Sequence, residues 1–262
     1  MNERSTMTTG REYLAMLEKT PFPSIVDALK DIAPDLADMV VNFAYGEIYS
    51  RPGLDLRQRQ LVTVAVLASM GGVEPQLRFH IAGALNVGCS PEEIVELMTH
   101  LVVYAGFPAA LNGVFAAKAV FGETGVAAKA EPVAPRASRY KDGLACLHAI
   151  DGAVGERVIE SLRDIAPDLG RFIIEFGFGD VYTRPGLDLV SRELITVAAL
   201  AALGSATPQL KVHMHGFLNT GGTREQLVEA IIHIAAYAGF PRAINAAFAA
   251  RAVLNDRAHA AH

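Results

Sequence analysis

The chain has 262 residues, of which 51% are hydrophobic and 19% are charged, and its formal net charge is −5. This composition is typical of a folded globular protein and argues against disorder. The negative charge offers no basic surface to nucleic acid. The apolar runs are shorter than the roughly 20 residues that cross a membrane, and the first residues lack the apolar core of a secretory signal. We therefore expect a cytoplasmic protein with no nucleic-acid or membrane partner.

The sequence is a tandem repeat whose two copies are offset by 133 residues. Ile32–Leu36 recurs as Ile165–Leu169, and Arg51–Leu56 recurs as Arg184–Leu189. The same offset pairs further polar and aromatic positions: His80 with His213, Asn86 with Asn219, His100 with His233, Tyr104 with Tyr237, and Asn112 with Asn245. No insertion is needed between residues 32 and 121, so the two copies are expected to share one fold.

Between the copies, residues 122–139 are rich in Ala, Pro and Gly and show no periodicity, which predicts a linker. The length of the chain suits two domains of ordinary size. We therefore expect a first domain at residues 1–121 and a second at residues 140–262.

Within each copy the apolar residues recur with helical spacing. In the first copy this spacing predicts helices over residues 35–49, 56–70, 75–87, 90–105 and 108–121. Ser90 and Glu93 form a capping box at the start of the fourth helix, and Thr223 and Gln226 repeat it in the second copy. No segment shows the alternation of a half-buried strand, so the predicted fold class is all-α.

Polar side chains that both copies place in these apolar helices are the candidates for chemistry. His80 and His213 each follow a Pro-Gln-Leu sequence, and imidazole is the usual general acid or base near neutral pH. Glu193 lies one helix before His213, and its counterpart in the first copy is Gln60, which can hydrogen-bond but carries no charge. The two sites are therefore not chemically equivalent. The alternative is that the two histidines are hydrogen-bonded core residues.

Four cations accompany these positions. Arg59 and Arg192 come directly before the Gln and Glu positions, while Arg78 and Lys211 come two residues before the histidines. They could face the same sites. The alternative is that they belong to a solvated helix face or to ion pairs.

A second pair of repeat-equivalent histidines, His100 and His233, leaves two interpretations open. They could approach the first pair in space. They could also make ordinary i, i+4 surface contacts with Glu96 and Glu229.

The sequence gives no sign of a metal or a cofactor. His213 and His215 are two residues apart on a predicted helix, so their side chains point roughly 200° apart and suit a single ion poorly. Cys89 and Cys146 lie far apart and outside any metal-ligand or CxxC spacing. Gly-rich phosphate loops and nucleotide fingerprints are absent from the sequence. We expect a protein that works without metal or cofactor.

An ordered run of motifs in the second copy resembles the carboxymuconolactone decarboxylase family. The run comprises Arg192–Leu200, Pro208–His213, Gly216–Gly221, Thr223–Glu229 and Tyr237–Ala243, and the first copy carries it from Arg59 to Ala110. The resemblance implies two tandem, all-helical domains of this family and assembly around a threefold axis. Single-domain relatives form hexamers, so a chain with two copies is expected to form a homotrimer.

One branch of this family, the alkylhydroperoxidase D type, has a CxxC motif just before the histidine. Here the corresponding residues 71–76 and 204–209 contain no cysteine. A dithiol relay needs two thiols, so peroxidase activity is not expected.

The decarboxylase branch needs no cofactor, and its chemistry needs a proton donor and anion-binding groups. Loss of carbon dioxide from its lactone substrate pushes electrons into a conjugated carbonyl, and the resulting dienolate must be protonated. By resemblance, His213 is the proton donor, Glu193 orients it, and Arg192 with Lys211 holds the anionic groups.

In the first copy the resemblance assigns the same places to His80, Arg59 and Arg78. Gln60 stands where the family has glutamate, so this site lacks the family's carboxylate.

Two functions of different class remain open. The first is a decarboxylase or related isomerase that acts on a small lactone or an enolisable carboxylic acid. The second is a non-catalytic member of the family that binds a small ligand or serves as a scaffold. The sequence does not name the substrate.

Overall fold

Helices make up all the regular structure in the computed structural model, which describes residues 3–20, 24–129 and 138–260. The all-α prediction is confirmed. The first copy forms α1 (Glu3–Glu18), α2 (Ser24–Leu29), α3 (Pro34–Met39), α4 (Leu56–Met70), α5 (Glu74–Asn86) and α6 (Pro91–Thr124). The second forms α7 (Arg139–Asp151), α8 (Ala153–Glu160), α9 (Pro167–Phe172), α10 (Leu189–Leu203), α11 (Thr207–Asn219), α12 (Arg224–Ala238) and α13 (Phe240–Ala260).

The helix predicted over 35–49 changes its winding part of the way along. It begins as α3 and continues with π-helical hydrogen bonding over Val40–Ile48, and α9 continues in the same way over Ile173–Tyr182. The other predicted helices agree with the structure to within a few residues. Both predicted capping boxes, at Ser90 and at Thr223, are present with reciprocal hydrogen bonds.

Among the described residues, α6 is the one helix that is long and apolar enough to span a membrane. It is not one straight helix, because Gly106 has a φ of 82° and a ψ of 166° in its middle. The repeat-equivalent Gly239, with a φ of 84°, separates α12 from α13. The first part of α6 also contributes fully buried core residues, Leu97 and Leu101 among them. Its apolar composition is therefore that of a core helix.

The two copies share one hydrophobic core. Helix α4 packs against α10, α12 packs against α4, and α10 packs against α6, so helices of the two copies alternate through the interior. Helix α6 extends to Thr124, three residues into the predicted linker 122–139, and α7 begins at Arg139. Residues 130–137 of that linker lie outside the described residues.

Two apolar stripes remain exposed at the surface. They are repeat-equivalent and spaced one helical turn apart along their helices: Phe107, Leu111 and Phe115 on α6, and Phe240, Ile244 and Phe248 on α13. Each stripe meets an aromatic ring of the other copy, Phe107 beside Phe176 at 5.9 Å and Phe240 beside Phe43 at 6.0 Å between centroids. Contiguous exposed apolar surface of this kind marks interaction sites on soluble proteins.

Candidate active site

Two buried polar clusters lie in the shared core, and each takes side chains from both copies. The Glu193 site consists of Tyr182, Glu193, Thr196 and His213 of the second copy with His100 and Tyr104 of the first. The Gln60 site consists of the repeat-equivalent residues, Tyr49, Gln60, Thr63 and His80 of the first copy with His233 and Tyr237 of the second.

Helix α10 provides the base of the Glu193 site. The carboxylate of Asp188 accepts the backbone N–H of Ser191 at 2.7 Å and so caps the start of this helix. Glu193 and Thr196 follow three residues apart, so they share a helix face, and neither is exposed. Burial of such polar groups is stable only when they are hydrogen-bonded.

The carboxylate of Glu193 has a separate partner for each oxygen. Nδ1 of His213 lies 2.9 Å from Oε2, and the hydroxyl of Tyr182 donates to Oε1 at 2.6 Å. Nε2 of His213 has no hydrogen-bond partner among the described residues. The carboxylate therefore fixes the ring, with Nε2 available to exchange a proton with a ligand.

The first copy closes this site with Tyr104 and His100. The hydroxyl of Tyr104 contacts that of Tyr182, and the ring of Tyr104 stands edge-on to His213 with centroids 4.9 Å apart. Nε2 of His100 lies 2.8 Å from Oγ1 of Thr196, which itself donates to the carbonyl of Arg192 at 2.9 Å. Thr196 has only one hydrogen to donate, so His100 must carry its own hydrogen on Nε2.

In the Gln60 site the direction of hydrogen bonding is reversed. Oε1 of Gln60 accepts from Nδ1 of His80 at 3.0 Å, but its Nε2 donates to the hydroxyl of Tyr49 at 2.8 Å. Tyr49 is thus free to donate to Tyr237 at 2.8 Å. In the Glu193 site the matching tyrosine donates to the carboxylate instead. One exchange, Glu for Gln, therefore reorients the hydroxyl chain between the copies.

The two repeat-equivalent histidines differ in how they hold a proton. Burial alone disfavours the charged ring of His213, but the charge of Glu193, the hydrogen bond to it and the charge of Asp151 outweigh burial, so the pKa of His213 is raised. Burial lowers the pKa of His80 to about 3, with no carboxylate to oppose it. His213 is thus disposed to be cationic and His80 to be neutral.

The arginines before Glu193 and Gln60 form ion pairs between the copies. Arg192 is fully buried, with Nη2 3.3 Å from Glu96 and 2.9 Å from the carbonyl of Arg184. Glu96 also receives a bidentate bond from Arg184. Arg59 is likewise fully buried, beside Glu229 and bonded to the carbonyl of Arg51. Nη1 of Arg192 and Nε of Arg59 are buried without a hydrogen-bond partner among the described residues, and Nη1 of Arg59 lies 3.3 Å from Nδ1 of His233. The anion-binding role that the resemblance gave to both arginines stays a prediction.

Arg78 and Lys211 lie outside the two buried clusters. Arg78 pairs with Glu123 at the surface, and Lys211 is exposed, whereas the histidines two residues later are buried. Side chains two residues apart on a helix point to opposite sides. Arg78 and Lys211 therefore do not share a helix face with His80 and His213. They do not line either buried cluster, and their role in holding substrate stays a prediction.

The structure resolves which further histidines join the sites. His100 and His233 are fully buried and do join, each in the site of the other copy, so the surface alternative for them is wrong. His215 lies apart, in a surface cleft with Asp256 and Arg257. In the described parts of the chain no group of three or more His, Cys, Asp or Glu side chains is arranged to hold a metal.

Sequence reasoning paired Tyr104 with Tyr237 but missed the other tyrosine and the threonine of each site. Tyr49 matches Tyr182 and Thr63 matches Thr196 at the same offset of 133 residues, so the repeat contained the signal. Their role depends on helices of the other copy, which no local pattern shows.

Comparison with known proteins shows which family the sequence matches. The model of the carboxymuconolactone decarboxylase family matches residues 34–119 and 167–252. Over 102 residues the chain is 39% identical to 4-carboxymuconolactone decarboxylase of Acinetobacter baylyi. The aligned stretch covers 39% of this chain and 75% of that protein. Over 104 residues it is 34% identical to nitrosuccinic acid decarboxylase of Metarhizium robertsii. This stretch covers 38% of this chain and 72% of that protein.

A solved structure shares the whole architecture. A chain from Burkholderia xenovorans, provisionally described as a gamma-carboxymuconolactone decarboxylase subunit, superposes with a TM-score of 0.60 at 26% identity. The match covers 95% of this chain and 98% of the other. The tandem arrangement of two helical domains therefore also occurs in that protein.

Proposed function

Because this chain belongs to the carboxymuconolactone decarboxylase family, we propose that it is a cofactor-free decarboxylase, or a related isomerase, of a small lactone or enolisable carboxylic acid. Two relatives with decarboxylase names support the reaction class. We place the chemistry at the Glu193 site.

The observation that carries this proposal is the enclosed His213–Glu193 pair. The pair is 2.9 Å apart and almost fully buried, and Nε2 of His213 is the atom left for a ligand. A cationic imidazole held by a buried carboxylate is a suitable general acid. It also places positive charge beside a developing oxyanion, where a low-dielectric site makes that charge effective.

The reaction follows from these groups in two steps. First, the bond between the carboxylate carbon and the adjacent carbon breaks, carbon dioxide leaves, and the electron pair moves into a conjugated carbonyl to give an enolate. Second, Nε2 of His213 transfers its proton to the enolate, and Glu193 stabilises the ring orientation throughout. The neutral imidazole then regains a proton from solvent, so the cycle consumes no cofactor.

The Gln60 site has the same shape but lacks the carboxylate. His80 is disposed to be neutral there, so we propose that it contributes less to turnover than His213. Arg59 and Arg192 support both sites through the ion pairs between the copies.

The proposal is tested by measuring carbon dioxide release from a panel of lactone acids and enolisable acids. On an accepted substrate, His213→Gln should abolish release, and the matched variant His80→Gln should cost much less. Release that is untouched by His213→Gln would refute the assignment. If no acid releases carbon dioxide while calorimetry shows that several bind, the non-catalytic ligand-binding alternative is supported.

A further inference from the structure

A third acidic group, Asp151, stands behind the His213–Glu193 pair. It is the last residue of α7, it is 7% exposed, and its Oδ1 is buried without a hydrogen-bond partner. The structure thus holds, next to a paired carboxylate, a carboxyl oxygen that no polar group of the described residues satisfies. A buried and unsatisfied polar atom is costly unless it has a role.

Gly216 on α11 fixes how close the two acids come. A Cβ atom at this position would lie 2.8 Å from Oε2 of Glu193 and 3.2 Å from Oδ1 of Asp151. The two oxygens therefore border the same space, which a larger side chain at this position would fill. Oε2 is also the oxygen that binds His213, so Asp151 stands against the same atom that holds the histidine.

The first copy uses the equivalent positions differently. A Cβ at Gly83 would meet the side chain of Leu17 at 3.0 Å and the amide oxygen of Gln60 at 3.5 Å. Glu18, the counterpart of Asp151, is half-buried and accepts hydrogen bonds from Ser24 instead. The additional acid therefore belongs only to the site that has Glu193.

The charged and titratable groups around Asp151 come from three neighbouring elements. They are His213 on α11, Glu193 on α10 and Tyr104 on α6. Gly155 of α8 lies close to Asp151, while Glu156 of that helix pairs with His148 at the exposed surface. Burial and the charge of Glu193 raise the pKa of Asp151 and His213 lowers it, with a net rise to about 7. Two carboxyl groups this close do not both ionise readily.

We infer that Asp151 is a positioning residue of the Glu193 site: Asp151, Glu193 and His213 share their protons, and ionisation of Asp151 strengthens the hold of His213 on its proton. The inference concerns the proton state of the site, and only its consequence for turnover rests on the proposed function. Titrations of three such groups are coupled, so the protons belong to the cluster as a whole.

The test is an NMR titration of the His213 ring in the intact protein. In Asp151→Asn, which keeps the shape of the side chain, the midpoint for His213 should move to lower pH because one stabilising negative charge is lost. The matched variant Glu18→Gln removes an acid at the equivalent position of the other copy and should leave the midpoint unchanged. An unchanged His213 midpoint in Asp151→Asn overturns the inference.

A second measurement does not depend on that variant being folded. In the unchanged protein, the carboxyl carbon of Asp151 should titrate near neutral pH, and in Glu193→Gln its midpoint should move down because the neighbouring charge is gone. A carboxyl that titrates in the ordinary range of aspartate in the unchanged protein would overturn the inference as well.

Activity separates this inference from the proposed function. If the function is right, the alkaline limb of kcat/KM should move to lower pH in Asp151→Asn, in parallel with His213. If His213 moves in the NMR titration but no acid is decarboxylated, the proposed function fails and the role of Asp151 stands.

Discussion

Removal of the Glu96 carboxylate should destabilise the protein more than removal of any exposed acid. Glu96 of the first copy accepts a bidentate bond from Arg184, with its shortest contact at 2.6 Å, and a further bond from Arg192 at 3.3 Å. The side chain of Arg192 is 0% exposed, and that of Glu96 is 10% exposed. The Glu96→Gln substitution keeps the shape but leaves the guanidinium of Arg192 buried without a counter-charge.

The size of the effect follows from how each arginine is placed. Breaking a buried pair by removing one partner costs about 3–5 kcal/mol. Arg192 keeps hydrogen bonds to the carbonyls of Arg184 and Leu187, and the side chain of Arg184 is 25% exposed and can regain water. We therefore expect a loss at the lower end, about 3 kcal/mol of unfolding free energy. For a chain of this size that corresponds to a fall in Tm of about 6–12 °C.

The assay is urea and thermal unfolding followed by circular dichroism, at one fixed protein concentration. The matched control is Asp168→Asn, because the Asp168 side chain is 79% exposed in its pair with Arg171. An exposed pair contributes about 0–1 kcal/mol. Glu229→Gln should repeat the effect of Glu96→Gln, since Arg59 is buried beside it. A loss of less than about 1 kcal/mol in Glu96→Gln would show that the copies are not held together as we argue.

Four further outcomes are expected. On an accepted substrate, Glu193→Gln should lower turnover on the order of 10²-fold, and Gln60→Glu should raise it; an unchanged rate in the former would remove the carboxylate from the mechanism. Burial lowers the pKa of folded His80 to about 3 from an ordinary 6.5, so the free energy of unfolding should fall as pH falls from about 6.5 to 3. In His80→Gln the free energy of unfolding should fall less over the same range. Burial raises the pKa of the Cys89 thiol to about 12, so we expect no thiol-dependent hydroperoxide turnover, and turnover that a Cys89→Ser variant abolishes would contradict this. The exposed apolar stripes favour assembly, so light scattering should give a trimer of about 84 kDa, three chains of 27.9 kDa, and a species of one chain would contradict this.

The fold could be predicted from the sequence because its signals are local. Helical spacing and the two capping boxes each act within a few residues, and both agree with the structure. The change to π-helical winding after Met39 and Phe172 has no comparable local signal. It shifts the register of the side chains that follow, among them Tyr49 and Tyr182.

The candidate site could be predicted only within one copy. The Glu193–His213 pair was predictable because α10 and α11 are consecutive helices, and both repeats hold a Gln or Glu on the first and a His on the second. The residues from the other copy were not, because His100 lies 96 positions before its partner Thr196. The location of Arg78 and Lys211 outside the buried clusters could also have been predicted. The helix geometry that argued against a metal between His213 and His215 applies to them as well.

The exchange of helices between the copies explains how one chain can hold two unlike sites. In a dimer of identical single domains, every site would have the same residue at the positions of Gln60 and Glu193. Joining two copies in one chain removes that constraint, and here only one site has the Glu193 carboxylate with a buried aspartate, Asp151, beside it. The first copy still provides His100, Tyr104 and the counter-charge for Arg192. It therefore remains necessary to the Glu193 site even if its own Gln60 site performs no chemistry.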